Sequence, residues 1–201
     1  TIEGTDILVA AGRTPNTQGI GLEEAGIALT DRGTIKVNDR LETTARDVWA
    51  IGECAGSPQF THASLDDFRI IRDNLGGGDR TTTGRLMPYC MFIDPPLARI
   101  GMSEAEARAN GMDMRVAKLP MKAVLRTRTT SQSVFFMKAL VVSQDRIVGF
   151  TMIGSEAGEV MAVVQAAMLG GLPYGVLRDA ILAHPTMTEG LNALFGKVEG
   201  R

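Results

Sequence analysis

The chain has 201 residues, of which 44% are hydrophobic and 22% charged, and its formal net charge is −2. This composition is typical of an ordinary globular protein and does not favour nucleic acid or a membrane as a partner, since no apolar run is long enough to span a bilayer. Its two cysteines, Cys54 and Cys90, are too few for a disulfide framework, which indicates a reducing, cytoplasmic setting.

The first element in chain order is a short apolar run at residues 7–11, which predicts a fully buried strand. Gly12 ends this run, and residues 12–16 are typical of a tight turn. Because a core strand lies so close to the first residue, we expect the sequence to be a piece of a longer chain.

A strand, a glycine-bearing loop and a helix follow in the first half. Residues 22–26 predict one helical turn closed by glycine, and residues 34–37 predict a half-exposed strand. An apolar run at 48–51 leads into a loop at 52–56, and residues 63–75 predict a helix. This order is a common way to present backbone N–H groups to a ligand, although many such turns bind nothing.

The second half is predicted to be a compact α/β unit. Residues 76–84 have a flexible, polar composition, which predicts a domain boundary between the first half and this unit. Apolar runs predict strands at residues 89–93 and 114–119. Two further runs, at 134–142 and 147–153, predict a β-hairpin.

Helices are expected between and after these strands. Ser103 and Glu106 have the spacing of a capping box for a helix that Gly111 closes. A second helix starts at Glu159 and ends at glycines 170–171. A third helix is predicted with Pro173 in its first turn, and Pro185 ends it. Its apolar face consists of Leu177, Ala180 and Ile181. A last short helix is predicted from the spacing of Leu191, Leu194 and Phe195.

The segment 183–189 holds one of only two histidines, His184, followed by Pro185 and then by Glu189. The proline restricts the backbone of His184, and a histidine oriented by a carboxylate is a general acid–base arrangement. Thr186 and Glu189 also have the capping-box spacing for the last helix, in which Glu189 would hold only a backbone N–H. The two interpretations are not exclusive, and the spacing leaves both open.

The other chemically capable residues have plainer interpretations. His62 has no convincing metal-ligand partner in Cys54 or Cys90, so no metal site is expected. Cys54 lies in the glycine loop near a helix start, where a thiol could be reactive; a small buried thiol is the alternative.

Three motifs occur in order: Ala-Gly-Arg-Thr-Pro-Asn at residues 11–16 preceded by Asp6, Trp-Ala-Ile-Gly-Glu-Cys-Ala-Gly at 49–56 leading to Phe-Thr-His at 60–62, and His-Pro-Thr-x-x-Glu at 184–189. In this order and spacing they resemble the C-terminal part of the class I pyridine nucleotide-disulfide oxidoreductases, which include glutathione reductase, lipoamide dehydrogenase and mercuric reductase. The likeness covers essentially the whole chain. The sequence at residues 64–68 is most similar to that of the mercuric-reductase-like bacterial branch.

The resemblance implies an α/β fold and a subunit with FAD-binding, NAD(P)H-binding, central and interface domains. Residues 1–15 would end the NAD(P)H-binding domain, and residues 16–84 would form the central or second FAD-binding segment. Residues 85–201 would be the interface (dimerisation) domain, with an antiparallel sheet flanked by helices. The family's N-terminal glycine motif and redox-active cysteine pair do not occur in this sequence, so the fragment alone is expected to be inactive.

The resemblance also implies candidate cofactor-binding residues: Gly12, Arg13, Gly52, Glu53, Gln59, Phe60 and Thr61. Gly52 and Glu53 would lie at the ribityl chain of FAD, where the family usually has aspartate in place of Glu53. The glutamate is longer by about 1.5 Å, one C–C bond, so the loop or the flavin would adjust. The backbone around residues 59–61 would face the flavin ring, and residues 12–13 would lie where the nucleotide domains meet.

His184 and Glu189 would be the catalytic residues, with His184 exchanging protons with redox thiols in the partner subunit and Glu189 orienting it. The expected parent is a homodimeric FAD-dependent NAD(P)H oxidoreductase that reduces a disulfide or related small-molecule oxidant. Mercuric reductases end in a vicinal cysteine pair that this chain lacks, so mercuric ion is not the expected substrate. The alternative is a non-catalytic dimerisation module.

Overall fold

A computed structural model describes residues 1–198, and the chain divides into two units at the bond between Arg85 and Leu86. The helices are α1 (Thr61–Leu75), α2 (Glu104–Ala109), α3 (Leu125–Thr129), α4 (Ala157–Leu169), α5 (Tyr174–Asp179) and α6 (Gly190–Phe195). The strands are β1 (Tyr89–Met91), β2 (Leu97–Gly101), β3 (Arg115–Pro120), β4 (Phe136–Val141) and β5 (Ile147–Ile153). No described helix is both long enough and apolar enough to cross a membrane.

The first unit is built around α1 and the loop that leads into it. The predicted helix at 63–75 is confirmed and starts two residues earlier, at Thr61. Residues 22–26 form a hydrogen-bonded turn rather than a helix, closed by Gly26 at φ 74°. The predicted strands at 34–37 and 48–51 are reduced to isolated bridges, in which Ile35 pairs with Leu29 and Trp49 pairs with Glu42.

The predicted buried strand at residues 7–11 is wrong for the described chain. These residues have no regular structure, and Ile7, Leu8 and Val9 are 89%, 90% and 77% exposed. An apolar strand is stable only when neighbours pair its backbone and cover its side chains. No described residue does either here.

The second unit contains a five-stranded antiparallel sheet in the order β1-β2-β5-β4-β3. The predicted β-hairpin is confirmed as β4 and β5, with Met137 opposite Met152 and Ala139 opposite Phe150. Strand β2 was not predicted, since two prolines precede it and a glycine ends it. Its pairing with β5 joins residues far apart in the chain.

The helices of this unit agree only in part with the predicted ones. The capping box is confirmed: Ser103 Oγ accepts from the Glu106 N–H at 3.1 Å, and Glu106 Oε2 accepts from the Ser103 N–H at 2.6 Å. The expected third helix is shorter than predicted. Pro173 is its N-cap, it ends at Asp179 well before Pro185, and Ile181 is fully exposed rather than part of an apolar face. Helix α3 was not predicted either, because it is short and contains two threonines, which are weak helix formers.

One face of the sheet carries the core, and α4 and α6 pack against it. Alternate residues of β4 point into this core, as period-2 burial requires. Each large side chain buried there contributes about 1.5–3 kcal/mol relative to exposure. The fully buried members include Phe150, Met152, Met137, Leu191, Leu194 and Phe195.

The capping box predicts a pH-dependent stability. The hydrogen bonds with Ser103, together with the neighbouring Arg99 guanidinium, lower the pKa of Glu106 from 4.5 to about 2. A carboxyl whose pKa is lowered by folding stabilises the protein fully above its unfolded pKa, and loses that contribution as the pH falls through its folded pKa. We therefore expect Glu106→Gln to lower the thermal unfolding midpoint at pH 7, and this difference from wild type to shrink as the pH falls from about 4.5 to about 2.

Thermal unfolding followed by circular dichroism between pH 7 and pH 2 checks this expectation. Glu3→Gln removes a carboxylate at an exposed position and is the control. A difference between wild type and Glu106→Gln that stays constant across the range contradicts the assigned coupling.

Candidate functional site

The structure brings the two predicted catalytic residues into direct contact. His184 Nδ1 lies 2.7 Å from Glu189 Oε2. The imidazole is 63% exposed, whereas the Glu189 side chain is only 18% exposed. The accessible ring of His184 is thus bound through Nδ1 by the largely buried carboxylate of Glu189.

The backbone between these residues explains how one segment holds both. The Met187 side chain is fully buried in the core and anchors the segment. Thr186 Oγ1 donates to the Ala183 carbonyl at 2.8 Å and accepts from the Glu189 N–H at 3.2 Å. Thr186 therefore supplies half of the predicted capping box, while the carboxylate of Glu189 binds the ring of His184.

The helix that follows is fixed by contacts that the sequence analysis did not single out. Asn192 Nδ2 lies within 3.0 Å of the carbonyl oxygens of Leu177, Arg178 and Ala180, the last turn of α5 and its C-cap. At Gly190 a Cβ atom would lie 2.7 Å from Val124 Cγ2, so only glycine allows this approach. Neither contact has a signal in the local sequence, because both depend on residues brought together by the fold.

The ring geometry determines what the pair can do chemically. With the proton on Nδ1, His184 donates to Glu189 and keeps a lone pair on Nε2. The exposed Nε2 can then accept a proton from a neighbouring acid, and the carboxylate stabilises the imidazolium that forms. The arrangement is that of a general base that can return its proton as a general acid.

In the first unit, residues 52–57 form the loop for which the motifs imply cofactor binding. This loop, called the cofactor loop, lies between the Trp49 segment and α1. It begins with one 3-10 turn at Gly52–Ala55. Gly52 has a φ of 70°, and a Cβ atom there would lie 2.8 Å from Ser64 Oγ. The Gly52 N–H donates to Oδ2 of the fully buried Asp67 at 2.8 Å. The burial of Asp67 has no signal in the local sequence, because adjacent aspartates in a helix ordinarily face solvent.

A groove of about 890 Å³ opens beside this loop. Three of the predicted cofactor-binding residues, Arg13, Glu53 and Gln59, line it. Arg13 Nη1 donates to Glu53 Oε1 and Oε2 at 2.7 and 2.8 Å, although both side chains remain exposed. Gly12, Gly52 and Phe60 each adjoin a lining residue in sequence and Thr61 follows Phe60, but none of these four predicted residues lines the groove.

The start of α1 lies directly after the groove-lining residues. Its N-cap is Phe60, no side chain caps it, and Thr61 is its first residue. The Phe60 ring stacks on the His62 ring with centroids 5.0 Å apart. A 15-residue helix presents backbone N–H groups and the positive end of its dipole at this end, which favours a negatively charged ligand group.

The cysteines do not form a further site within the described residues. Cys54 is partly buried and its Sγ donates to the Ile51 carbonyl at 3.2 Å. Burial, with the Glu159 carboxylate nearby, raises the pKa of the Cys90 thiol, so this thiol is protonated and unreactive at neutral pH. Residues 1–198 contain no group of three or more His, Cys, Asp or Glu side chains that could hold a metal ion.

Family comparisons match both units. The pyridine nucleotide-disulphide oxidoreductase model matches residues 1–67, and the model of the dimerisation domain of that family matches residues 87–194. The chain belongs to the pyridine nucleotide-disulphide oxidoreductase family. The family expected from the three motifs is therefore confirmed, as is the α/β fold with an antiparallel sheet flanked by helices.

Relatives within this family are similar over nearly the whole chain. The probable pyridine nucleotide-disulfide oxidoreductase RclA of Escherichia coli is 44% identical over 196 residues, covering 96% of this chain and 44% of the relative. Dihydrolipoyl dehydrogenase of Thermus scotoductus is 35% identical, covering 92% and 40%. Mercuric reductase of Staphylococcus aureus is 31% identical, covering 94% and 35%. The chain thus spans less than half the length of these curated relatives.

Solved structures agree with this assignment. The HOCl-induced flavoprotein disulfide reductase RclA from Escherichia coli superposes with a TM-score of 0.90 at 44% identity, over 94% of this chain and 44% of that chain. LpdA from Mycobacterium tuberculosis, at 21% identity and a TM-score of 0.85 over 93% and 41% of the two chains, shares the fold.

The contact between His184 and Glu189 predicts the tautomer of the neutral imidazole. We expect the proton on Nδ1, because that nitrogen faces a carboxylate that can only accept. Glu189→Gln replaces this acceptor with an amide that both donates and accepts, so the population should shift toward the Nε2–H tautomer. The ¹⁵N chemical shifts of the His184 ring nitrogens measure this ratio, with Glu24→Gln, an exposed carboxylate in the first unit, as the control. An Nε2–H majority in the wild type contradicts the predicted role of Glu189.

Proposed function

We propose that this chain is the C-terminal part of a homodimeric, FAD-dependent NAD(P)H oxidoreductase that reduces a disulfide or a related small-molecule oxidant. The observation that carries the proposal is the 2.7 Å contact between His184 Nδ1 and Glu189 Oε2 inside a dimerisation domain of this family. The domain limits implied by the motifs, at residues 15 and 84, form part of the proposal. The redox-active cysteine pair would lie outside residues 1–201.

The residues of the cofactor loop and groove fit a flavin dinucleotide. Glu53 offers a carboxylate that can accept a hydrogen bond from a sugar-type hydroxyl, and Arg13 holds that carboxylate in the groove. Gly52, which has no side chain and a positive φ, lets the loop turn closely against Ser64, and the next residue, Glu53, then lies at the groove. The uncapped start of α1 offers N–H groups to negative charge. When bound there, FAD would supply the transfer of electrons from NAD(P)H to the redox thiols.

His184 and Glu189 would supply the proton chemistry of the thiol half-reaction. Nε2 of His184 would take a proton from an attacking thiol and return it to the leaving sulfur. Glu189 would keep the ring oriented and stabilise its protonated form. A 63% exposed imidazole in a dimerisation domain supports the proposal that this ring serves the active centre of the partner subunit.

The choice of oxidant follows from the family and from one relative. The Escherichia coli relative is described as an HOCl-induced flavoprotein disulfide reductase, which favours a disulfide as the oxidant here. The two thiols of this chain, Cys54 and Cys90, are both free, which fits action in the reducing cytoplasm.

Substitution of the histidine in the full-length protein tests the proposed function. We expect His184→Ala to slow reduction of the disulfide substrate by roughly 10²–10⁴-fold, the usual contribution of a positioned acid–base. The reduction of bound flavin by NAD(P)H should remain near the wild-type rate, because that step needs no thiol. Stopped-flow absorbance measures the two half-reactions separately. The reduction of flavin by NAD(P)H thus serves as an internal control for the reduction of the disulfide.

Two outcomes contradict the proposal in different ways. Equal slowing of both half-reactions overturns the role of His184. A purified full-length protein that contains no flavin and does not bind added FAD overturns the oxidoreductase assignment, and leaves a non-catalytic dimerisation module.

A further inference from the structure

The first unit contains a fully buried carboxylate that the proposed chemistry does not use. Asp67 lies on α1 and is 0% exposed. Burial of a charged carboxylate is costly unless hydrogen bonds and an opposite charge compensate it. The contacts of this side chain therefore show what its burial accomplishes.

The two carboxylate oxygens of Asp67 connect α1 to the cofactor loop and to Arg85. Oδ2 accepts from the backbone N–H of Gly52, the first residue of the cofactor loop, at 2.8 Å. Oδ1 accepts from Arg85 Nη1 at 2.6 Å, and the Arg85 side chain is only 17% exposed. These are charge-assisted hydrogen bonds, which are stronger than bonds between neutral groups.

Arg85 extends the arrangement to the other end of the same loop. Its Nη2 lies 3.4 Å from the Oγ of Ser57, which is 9% exposed. Within the loop, the Ser57 N–H donates to the Gly52 carbonyl at 3.1 Å, and the Gly56 N–H donates to the Glu53 carbonyl at 3.0 Å. The carboxylate of Asp67 thus reaches the first residue directly and the last through Arg85.

We propose that Asp67 is a positioning residue for FAD, which it serves by fixing the cofactor loop through Gly52 and Arg85, so that Glu53 is held in the groove. The inference rests on the proposed function, because it assumes that the groove takes this cofactor. Asp67 itself contacts neither the groove nor Glu53, and acts only through the backbone of the loop.

The neighbouring aspartate provides a matched comparison. Asp66 carries the same charge on the same helix, binds Arg80 Nη2 at 2.6 Å and lies 3.6 Å from Arg85 Nη1. Among the described residues, its hydrogen bonds and ion pairs go to these arginines and not to the cofactor loop. Loss of a charge near Arg85 can therefore be separated from loss of the bond to Gly52.

The test uses the full-length protein with Asp67→Asn and Asp66→Asn. Asparagine has one acceptor oxygen, so its NH₂ group faces either the Gly52 N–H or Arg85, and one of them loses its partner. We expect the dissociation constant for FAD to rise roughly 10–100-fold in Asp67→Asn, the effect of losing a charged hydrogen bond. In Asp66→Asn it should stay within about threefold of wild type, because the Asp66 carboxylate binds Arg80 and not the cofactor loop.

A second measurement separates positioning from a general loss of stability. In the FAD-free protein, amide hydrogen exchange in Asp67→Asn should accelerate at residues 52–57 and stay unchanged at β4 and β5, which lie in the other unit. If Asp67→Asn fails to fold, Arg85→Lys replaces it, since lysine keeps the charge and loses the fork that reaches both Asp67 and Ser57. Faster exchange at residues 52–57 and weaker FAD binding are expected there too.

The outcomes distinguish the two proposals. Wild-type protein that binds FAD, together with an Asp67→Asn or Arg85→Lys variant of equal affinity and unchanged exchange at residues 52–57, overturns the positioning role alone. Equal weakening of FAD binding in Asp66→Asn and Asp67→Asn also overturns it. Wild-type protein that binds no FAD overturns the proposed function itself.

Discussion

The packing of α6 against the five-stranded sheet is the constraint on which the candidate catalytic pair depends. Leu191, Leu194 and Phe195 are fully buried, and α6 contacts both β3 and β4. The N-cap of this helix is Glu189, so burial of the helix fixes the backbone that carries the carboxylate. The carboxylate in turn fixes the imidazole of His184. The hydrophobic core thus orients an exposed ring, which has no other hydrogen-bond partner among the described residues.

Local patterns predicted much of the second unit, the helix of the first unit and the contact between His184 and Glu189. The β4–β5 hairpin, the capping box at Ser103 and the helix predicted at 63–75 each depend on neighbours close in sequence, and all are confirmed. Of the capping box predicted for Thr186 and Glu189 only the Thr186 half forms, because the Glu189 carboxylate binds the ring of His184 and not a backbone N–H.

The features that the sequence did not predict depend on distant residues. Strand β2 becomes a strand only through its pairing with β1 and β5, and Asp67 becomes a buried carboxylate only because Gly52 and Arg85 approach it. The apolar run at 7–11 has the composition of a core strand but no described neighbour to pack against. Composition shows that a segment needs neighbours to bury it, whereas only the fold determines whether those neighbours are present.

Hybrid dimers test the central claim, that His184 of one subunit serves the flavin site of the other. One full-length subunit carries His184→Ala, and the second carries Gly52→Val, which forces a β-branched residue to a φ of 70° in the cofactor loop. Both variant homodimers should be inactive toward a disulfide. The purified hybrid should regain about half of the wild-type activity, since one of its two symmetry-related sites is complete. A hybrid as inactive as the two homodimers would contradict the account.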